Sequence, residues 1–140
     1  MKRDSLTPEF VEFIPEELED GVLYVSMEYA TAAHSCCCGC GQRVVTPLKP
    51  TDWKLTFDGA VTFSPSIGNW SFRCQSHYFI RRNQVEWLPR LSTHEIDALR
   101  RRDVTARDRY YGELHVDTEQ LPATREGGFR AWVRRSFRRR

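Results

Sequence analysis

The sequence predicts an α+β fold, mainly antiparallel β-sheet followed by C-terminal helices, and three observations carry that prediction. Apolar and polar residues alternate over much of the first two thirds of the chain, the period of two expected of half-buried strands. Turn-forming pairs, Asp58-Gly59 and Arg82-Asn83, separate the alternating runs. At Ser92-Thr93-His94-Glu95 a capping signature switches the spacing to helical. The 140 residues, 40% hydrophobic and 12% aromatic, suffice for one compact core and leave little room for a second. The expected organisation is one domain, with residues 1–92 as a β-rich core and 93–140 as its helical extension.

In chain order, Leu23, Val25, Met27 and Tyr29 share one face of an expected long strand between Gly21 and Ala33. Trp53, Leu55 and Phe57 alternate with polar neighbours, and Val61 and Phe63 return after Asp58-Gly59 as the second arm of a hairpin. Phe72, Cys74, Ser76, Tyr78 and Ile80 form one face of a further strand, which returns through Arg82-Asn83 into Val85-Glu86-Trp87. A helix is expected from about Thr93 through the Arg100-Arg101-Arg102 run to Tyr110-Tyr111, with Ile96 and Leu99 on its apolar side. Phe129, Trp132, Val133 and Phe137 mark a second, short C-terminal helix whose other side is arginine.

Charge is uneven along the chain. Residues 1–20 hold two basic and seven acidic residues, whereas 122–140 hold seven Arg and one Glu, for a net charge of only +2. The Arg-rich end, interleaved with aromatics, suits a protein partner and, as a weaker reading, nucleic acid. No run of 18 apolar residues occurs, which predicts a chain that neither spans a membrane nor is exported, and hence a cytoplasmic location.

Four of the five cysteines crowd into Cys36-Cys37-Cys38-Gly39-Cys40, and the fifth is Cys74. An odd number in so tight a cluster is not a disulfide pattern and points to a metal. Four thiolates make a closed tetrahedral zinc site. Cys36, Cys38 and Cys40 repeat every second residue and leave Cys37 spare, with Cys74 completing the set. Cys37-x-x-Cys40 has knuckle spacing as well, so spacing alone leaves the choice of sulfurs open. Buried free thiols and an iron-sulfur cluster are the other readings of the same residues.

If Cys36 and Cys74 hold one ion from adjacent antiparallel strands, residue numbers across the pair sum to about 110, and His34 falls opposite Ser76. A nucleophile and its base could be built in this way, with the metal acting as a clip. The blander alternatives are that His34 is itself a ligand and that Ser76 only hydrogen-bonds within the sheet. His77 is the other candidate base. As the strand neighbour of Ser76 it should face away from it, towards a partner such as Ser66. Ser66 and Asn69, in the turn-rich Pro65-Ser66-Ile67-Gly68-Asn69-Trp70, suit oxyanion or supporting contacts, or simply the turn.

The run His34-Ser35-Cys36-Cys37-Cys38-Gly39-Cys40-Gly41, followed by Thr46-Pro47-Leu48, Trp53, Phe57-Asp58-Gly59, Pro65 to Trp70 and Cys74-Gln75-Ser76-His77-Tyr78-Phe79-Ile80, resembles a bacterial family formerly catalogued as a domain of unknown function. The family accompanies the Bub ubiquitin-like conjugation systems, where its members look like zinc-containing serine peptidases. The resemblance spans about residues 10 to 88. It implies a structural Zn2+ at Cys36, Cys38, Cys40 and Cys74, and polar site residues at His34, Ser66, Asn69, Ser76 and His77. It also implies a bacterial ubiquitin-like protein and its conjugates as partners, and residues 1–92 as a zinc-bearing catalytic core. Arg73 and Phe79 depart from the family pattern, which often has Pro and Trp there.

The expected function is a deubiquitinase-like peptidase or hydrolase that processes or removes a ubiquitin-like protein, cleaving an amide or an ester. Ser76 is the expected nucleophile and His34 its base, with His77 next in line. The alternative is a non-catalytic zinc module that binds protein.

Overall fold

A computed structural model describes residues 1–119 as nine strands followed by a helix. The first sheet is mixed. β1 (Thr7–Phe10) runs parallel to β2 (Val22–Ser26), which pairs antiparallel with β3 (Thr31–Ser35), and β3 pairs antiparallel with β4 (Arg43–Pro47). β5 (Lys54–Phe57) and β6 (Val61–Ser64) form a hairpin. β7 (Ile67–Gly68), β8 (His77–Arg81) and β9 (Gln84–Trp87) form an antiparallel sheet in that order.

Local chemistry explains the turns that were expected. Gly59 takes φ +100° at the tip of the β5–β6 hairpin, a conformation in which a Cβ is strained. Arg82 and Asn83 both have positive φ, 48° and 67°, and join β8 to β9 as a two-residue connection. Asn83 also ties this turn to β6, donating its N–H to the Val61 carbonyl at 2.9 Å and accepting the Val61 N–H on Oδ1 at 2.7 Å.

The expected long strand between Gly21 and Ala33 is instead a hairpin, β2 to β3, reversed at Met27–Ala30. Ser26 Oγ accepts the Tyr29 N–H and Ala30 takes φ 46°, while Met27 and Tyr29 are 63% and 57% exposed. A hydroxyl and a left-handed alanine close this turn without glycine or proline, so alternation ran through it unseen. The segment Phe72–Ser76 is likewise not strand. It is a turn in which Gln75 donates its N–H to the Phe72 carbonyl and takes φ 45°.

The core joins Leu23 and Val25 of β2, Val61 and Phe63 of β6, Ile67 of β7, and Tyr78 and Ile80 of β8, each at most 1% exposed. The N-terminal segment threads beside it. Leu6 is buried, the Arg3 N–H bonds to the Cys37 carbonyl, and the Leu6 N–H bonds to the Asn83 carbonyl.

α1 (Thr93–Glu119) opens with the expected capping box: Ser92 Oγ accepts the Glu95 N–H, and the Glu95 carboxylate accepts the Ser92 N–H at 2.7 Å. The Ser92 hydroxyl and the Ser92 N–H, both donating to it, hold the Glu95 carboxyl below its usual range. α1 continues past Tyr111, the expected end, as far as Glu119. Ile96 is its one fully buried side chain among the described residues. The chain divides into two compact units, residues 1–106 and 107–140. The second expected helix, around Phe129 to Phe137, lies outside the described residues. No described helix is long and apolar enough to cross a membrane.

Candidate active site and metal centre

The sulfurs of Cys36, Cys38, Cys40 and Cys74 converge, all within 4.8 Å of one another. Adjacent separations are 3.5 Å for Cys36 to Cys38, 3.9 Å for Cys36 to Cys74 and 3.8 Å for Cys40 to Cys74. Four sulfurs about 2.3 Å from a central ion in a tetrahedron lie about 3.8 Å apart, so the donor set fits a tetrahedral thiolate site. Gly39 and Gly41 carry positive φ, 88° and 78°, and turn the loop after β3 back on itself so that its sulfurs face one point.

Protonation is uneven across the cluster: burial pushes the Cys36 and Cys38 thiols up. Burial opposes the Cys74 thiolate, yet hydrogen bonding from Ser76 and from the Cys38 and Cys40 thiols brings its pKa down to about 7. Cys37 is outside the cluster. It is buried among core residues, and burial pushes its thiol up to about 12, which keeps it protonated and apolar in behaviour.

The strand register expected for the catalytic pair is not the one found. β3 pairs with β2 and β4, so His34 lies opposite Leu23 and Val44, and Cys36 and Cys74 meet from loops beyond the strand ends. A metal joins sulfurs wherever loops bring them and imposes no β-ladder, which is why the number sum misled. His34 Nε2 instead lies 2.8 Å from the Tyr78 hydroxyl. Burial pulls the His34 pKa down to about 4, so its ring is neutral near pH 7. Burial also pushes the Tyr78 hydroxyl far up.

Ser76 is 6% exposed, with its hydroxyl 3.1 Å from Cys36 Sγ and 3.5 Å from Cys74 Sγ. Asn69, expected as an oxyanion contact, turns inwards. Its amide donates to Ser76 Oγ at 2.9 Å and to the Tyr78 hydroxyl at 3.4 Å. His34, Tyr78, Asn69 and Ser76 thus form a buried polar chain that ends on the cysteine cluster. Tyr78 was missed as its central member, because an aromatic within an alternating strand reads as core.

A second serine and histidine meet directly. Ser66 Oγ lies 2.9 Å from His77 Nε2, and His77 Nδ1 lies 3.4 Å from the Pro89 carbonyl. A carbonyl can only accept, so the proton belongs on Nδ1 and Nε2 is left to accept from the Ser66 hydroxyl. Both residues are partly exposed. Alternation places them: His77 begins β8, its side chain opposite in sense to those of the buried Ser76 and Tyr78, and pairs across the ladder with Gly68 of β7, two residues beyond Ser66.

Trp70 lies against His77 with ring centroids 4.8 Å apart, and a Cβ at Gly68 would run into the Trp70 indole. Trp53 Nε1 donates to the Ser66 carbonyl at 3.4 Å. A hydroxyl bonded to an oriented imidazole is the minimal arrangement for nucleophilic acyl transfer. Among the described residues a backbone carbonyl, and no carboxylate, orients the ring.

The family model described as bacterial ubiquitination-like system serine protease (BubE) matches residues 10–88, a span that holds the cysteine cluster, the buried polar chain and the Ser66–His77 pair. No curated protein and no solved structure matches the chain.

Proposed function

The chain belongs to the BubE family, the serine proteases of bacterial ubiquitination-like systems, and on that premise we propose that it cleaves the bond following the C-terminus of a ubiquitin-like protein, with Ser66 as nucleophile and His77 as base. The 2.9 Å contact between Ser66 Oγ and His77 Nε2 is the observation that carries this reading.

Ser66 Oγ attacks the scissile carbonyl carbon as His77 Nε2 takes the hydroxyl proton. The Pro89 carbonyl, accepting from Nδ1, stabilises the imidazolium that forms. The tetrahedral intermediate collapses, His77 returns the proton to the leaving nitrogen or oxygen, and an acyl-Ser66 ester remains. Water, deprotonated by the same imidazole, then hydrolyses that ester and restores the hydroxyl. Either an amide or an ester satisfies these steps, so both processing of a precursor and removal from a target fit.

The cysteine cluster would hold one structural Zn2+. Four thiolates leave no open position for substrate or water, so such an ion would fasten the loop after β3 to the turn before β8 and take no part in bond cleavage.

The pair first expected from the sequence, Ser76 with His34, is the competing assignment. Among the described residues those two connect through Asn69 and Tyr78, and both are buried. A serine-reactive fluorophosphonate distinguishes the two. We expect labelling at Ser66 that is abolished in Ser66→Ala and His77→Ala and retained in a folded, metal-loaded Ser76→Ala. Labelling at Ser76 would transfer the nucleophile there. No labelling of either serine, with intact ubiquitin-like precursor after incubation, would leave a protein-binding metal module as the account of the chain.

A further inference from the structure

Beside His77 the surface opens into a cleft of about 290 Å³, lined by Lys2, Gln75, His77, Trp87, Leu88 and Arg90 and also by Cys38, Cys74 and Ser76. Among the described residues, two cations and no acidic side chain line it. Both cations are held in place. Lys2 Nζ stands 4.7 Å from the centre of the Trp87 ring, and Arg90 Nη2 donates to the Cys74 carbonyl at 2.7 Å. Two anchored cations beside one cleft are suited to a carboxylate, because part of the entropy of ordering them is already lost before the anion arrives.

The position of the cleft says which part of a substrate would reach it. In the proposed reaction His77 hands a proton to the leaving group, so the leaving segment must begin within hydrogen-bond reach of that imidazole. His77 is one of the residues that line the cleft. Its volume is at the lower end for small-molecule pockets, ~300 Å³, which suits a short peptide and not the folded surface of a target protein.

We infer that this cleft is the leaving-group subsite and that it recognises the free α-carboxylate of a short C-terminal extension, through Lys2 and Arg90. The inference rests on the Ser66–His77 reading. It narrows the substrate class to precursors that end a few residues beyond the scissile bond. A different use of the cations is to offset the charge of four thiolates around a metal. Lys2 packs on an aromatic face, whereas Arg90 bonds the carbonyl of Cys74, so metal content measured in the two variants separates the uses.

The test is direct binding to the full, metal-loaded chain, followed by nuclear magnetic resonance of the His77 ring. The probes are tri-alanine with a free C-terminus, tri-alanine carboxamide, and acetyl-Ala-Glu-Ala carboxamide, which carries its carboxylate on a side chain. The free acid should shift the His77 signals and bind roughly tenfold more tightly than the carboxamide, as for one charge-assisted contact. That preference should weaken with added salt. Lys2→Gln, which leaves the Cys74 carbonyl contact intact, should cut the preference severalfold without metal loss, and Arg90→Gln should do likewise.

Equal binding of acid and carboxamide, or binding of neither, overturns the inference. So does an internal glutamate that binds as well as the free terminus. Loss of metal from Lys2→Gln or Arg90→Gln with the acid preference unchanged would assign the cations to the cysteine cluster instead. None of these probes requires turnover, so fluorophosphonate labelling of Ser66 reports separately on the catalytic reading.

Discussion

His34 has no exposed surface, and burial alone brings its pKa from 6.5 to about 4. On acidification the unfolded chain binds a proton at this position first. The fold therefore bears no protonation cost from the ring above about pH 6.5 and a growing one as the pH falls to about 4, reaching about 3 kcal/mol at 1.36 kcal/mol per unit. His34→Gln can still bond the Tyr78 hydroxyl but has nothing to titrate. The stability advantage of the parent over His34→Gln should accordingly shrink between pH 7 and pH 4.5, measured by denaturant unfolding. Acid loss of metal would affect both proteins alike, and parallel pH profiles would show that the ring does not carry this cost. A second contrast at this scale concerns thiols. Cys37→Ala should keep its metal and lose about 1 kcal/mol of packing. Cys74→Ser removes a converging sulfur and should lose metal and melting temperature together. Equal metal content in the two variants would refute the ligand set.

Between elements, the geometry around Ser66 depends on β7 and β8 lying close together, and Gly68 permits it. Because a Cβ there would strike the Trp70 indole, Gly68→Ala must displace the ring that covers His77. Labelling at Ser66 should slow by about tenfold or more, as for a misplaced catalytic group, while metal content stays at the parent value. An unchanged rate would mean that Trp70 does not position the imidazole. This level also shows what the sequence made legible. The β5–β6 and β8–β9 hairpins and the start of α1 follow from residues adjacent in sequence: Asp58-Gly59, Arg82-Asn83 and the Ser92–Glu95 box. β1, paired in parallel with β2, and β4 on the far side of β3 depend on distant partners and escaped notice. The converging cysteines were readable because a cluster of thiols has few other uses, and the Ser66–His77 contact was readable from strand alternation. The His34–Ser76 register was not, since it assumed a ladder where two loops meet. Trp87 was legible as the end of a strand, but nothing local joined it to Lys2 and Arg90, which the N-terminal segment passing β9 brings to the same cleft.

Across the whole molecule, the described features of the candidate chemistry lie within the first compact unit, residues 1–106, and the core draws little from α1. From Arg100 to Arg109 every described side chain is exposed, and Val104, Tyr111 and Leu114 are apolar residues among the exposed ones. A long helix with so little buried surface contributes little to the stability of a sheet core. The Arg-rich end beyond it offers guanidinium groups, which cannot serve as a base near neutral pH. A chain ended after Ala106 should therefore bind metal in the parent ratio, melt within about 4 °C of the full chain, and label at Ser66 at the parent rate. Cleavage of a ubiquitin-like precursor is the informative contrast. If residues 107–140 recruit the protein substrate, as their charge suggests, KM should rise and kcat should hold, and the rise should be reproduced in the full chain by higher salt. A folded, metal-loaded truncation that fails to label at all would show that the second unit completes the catalytic site.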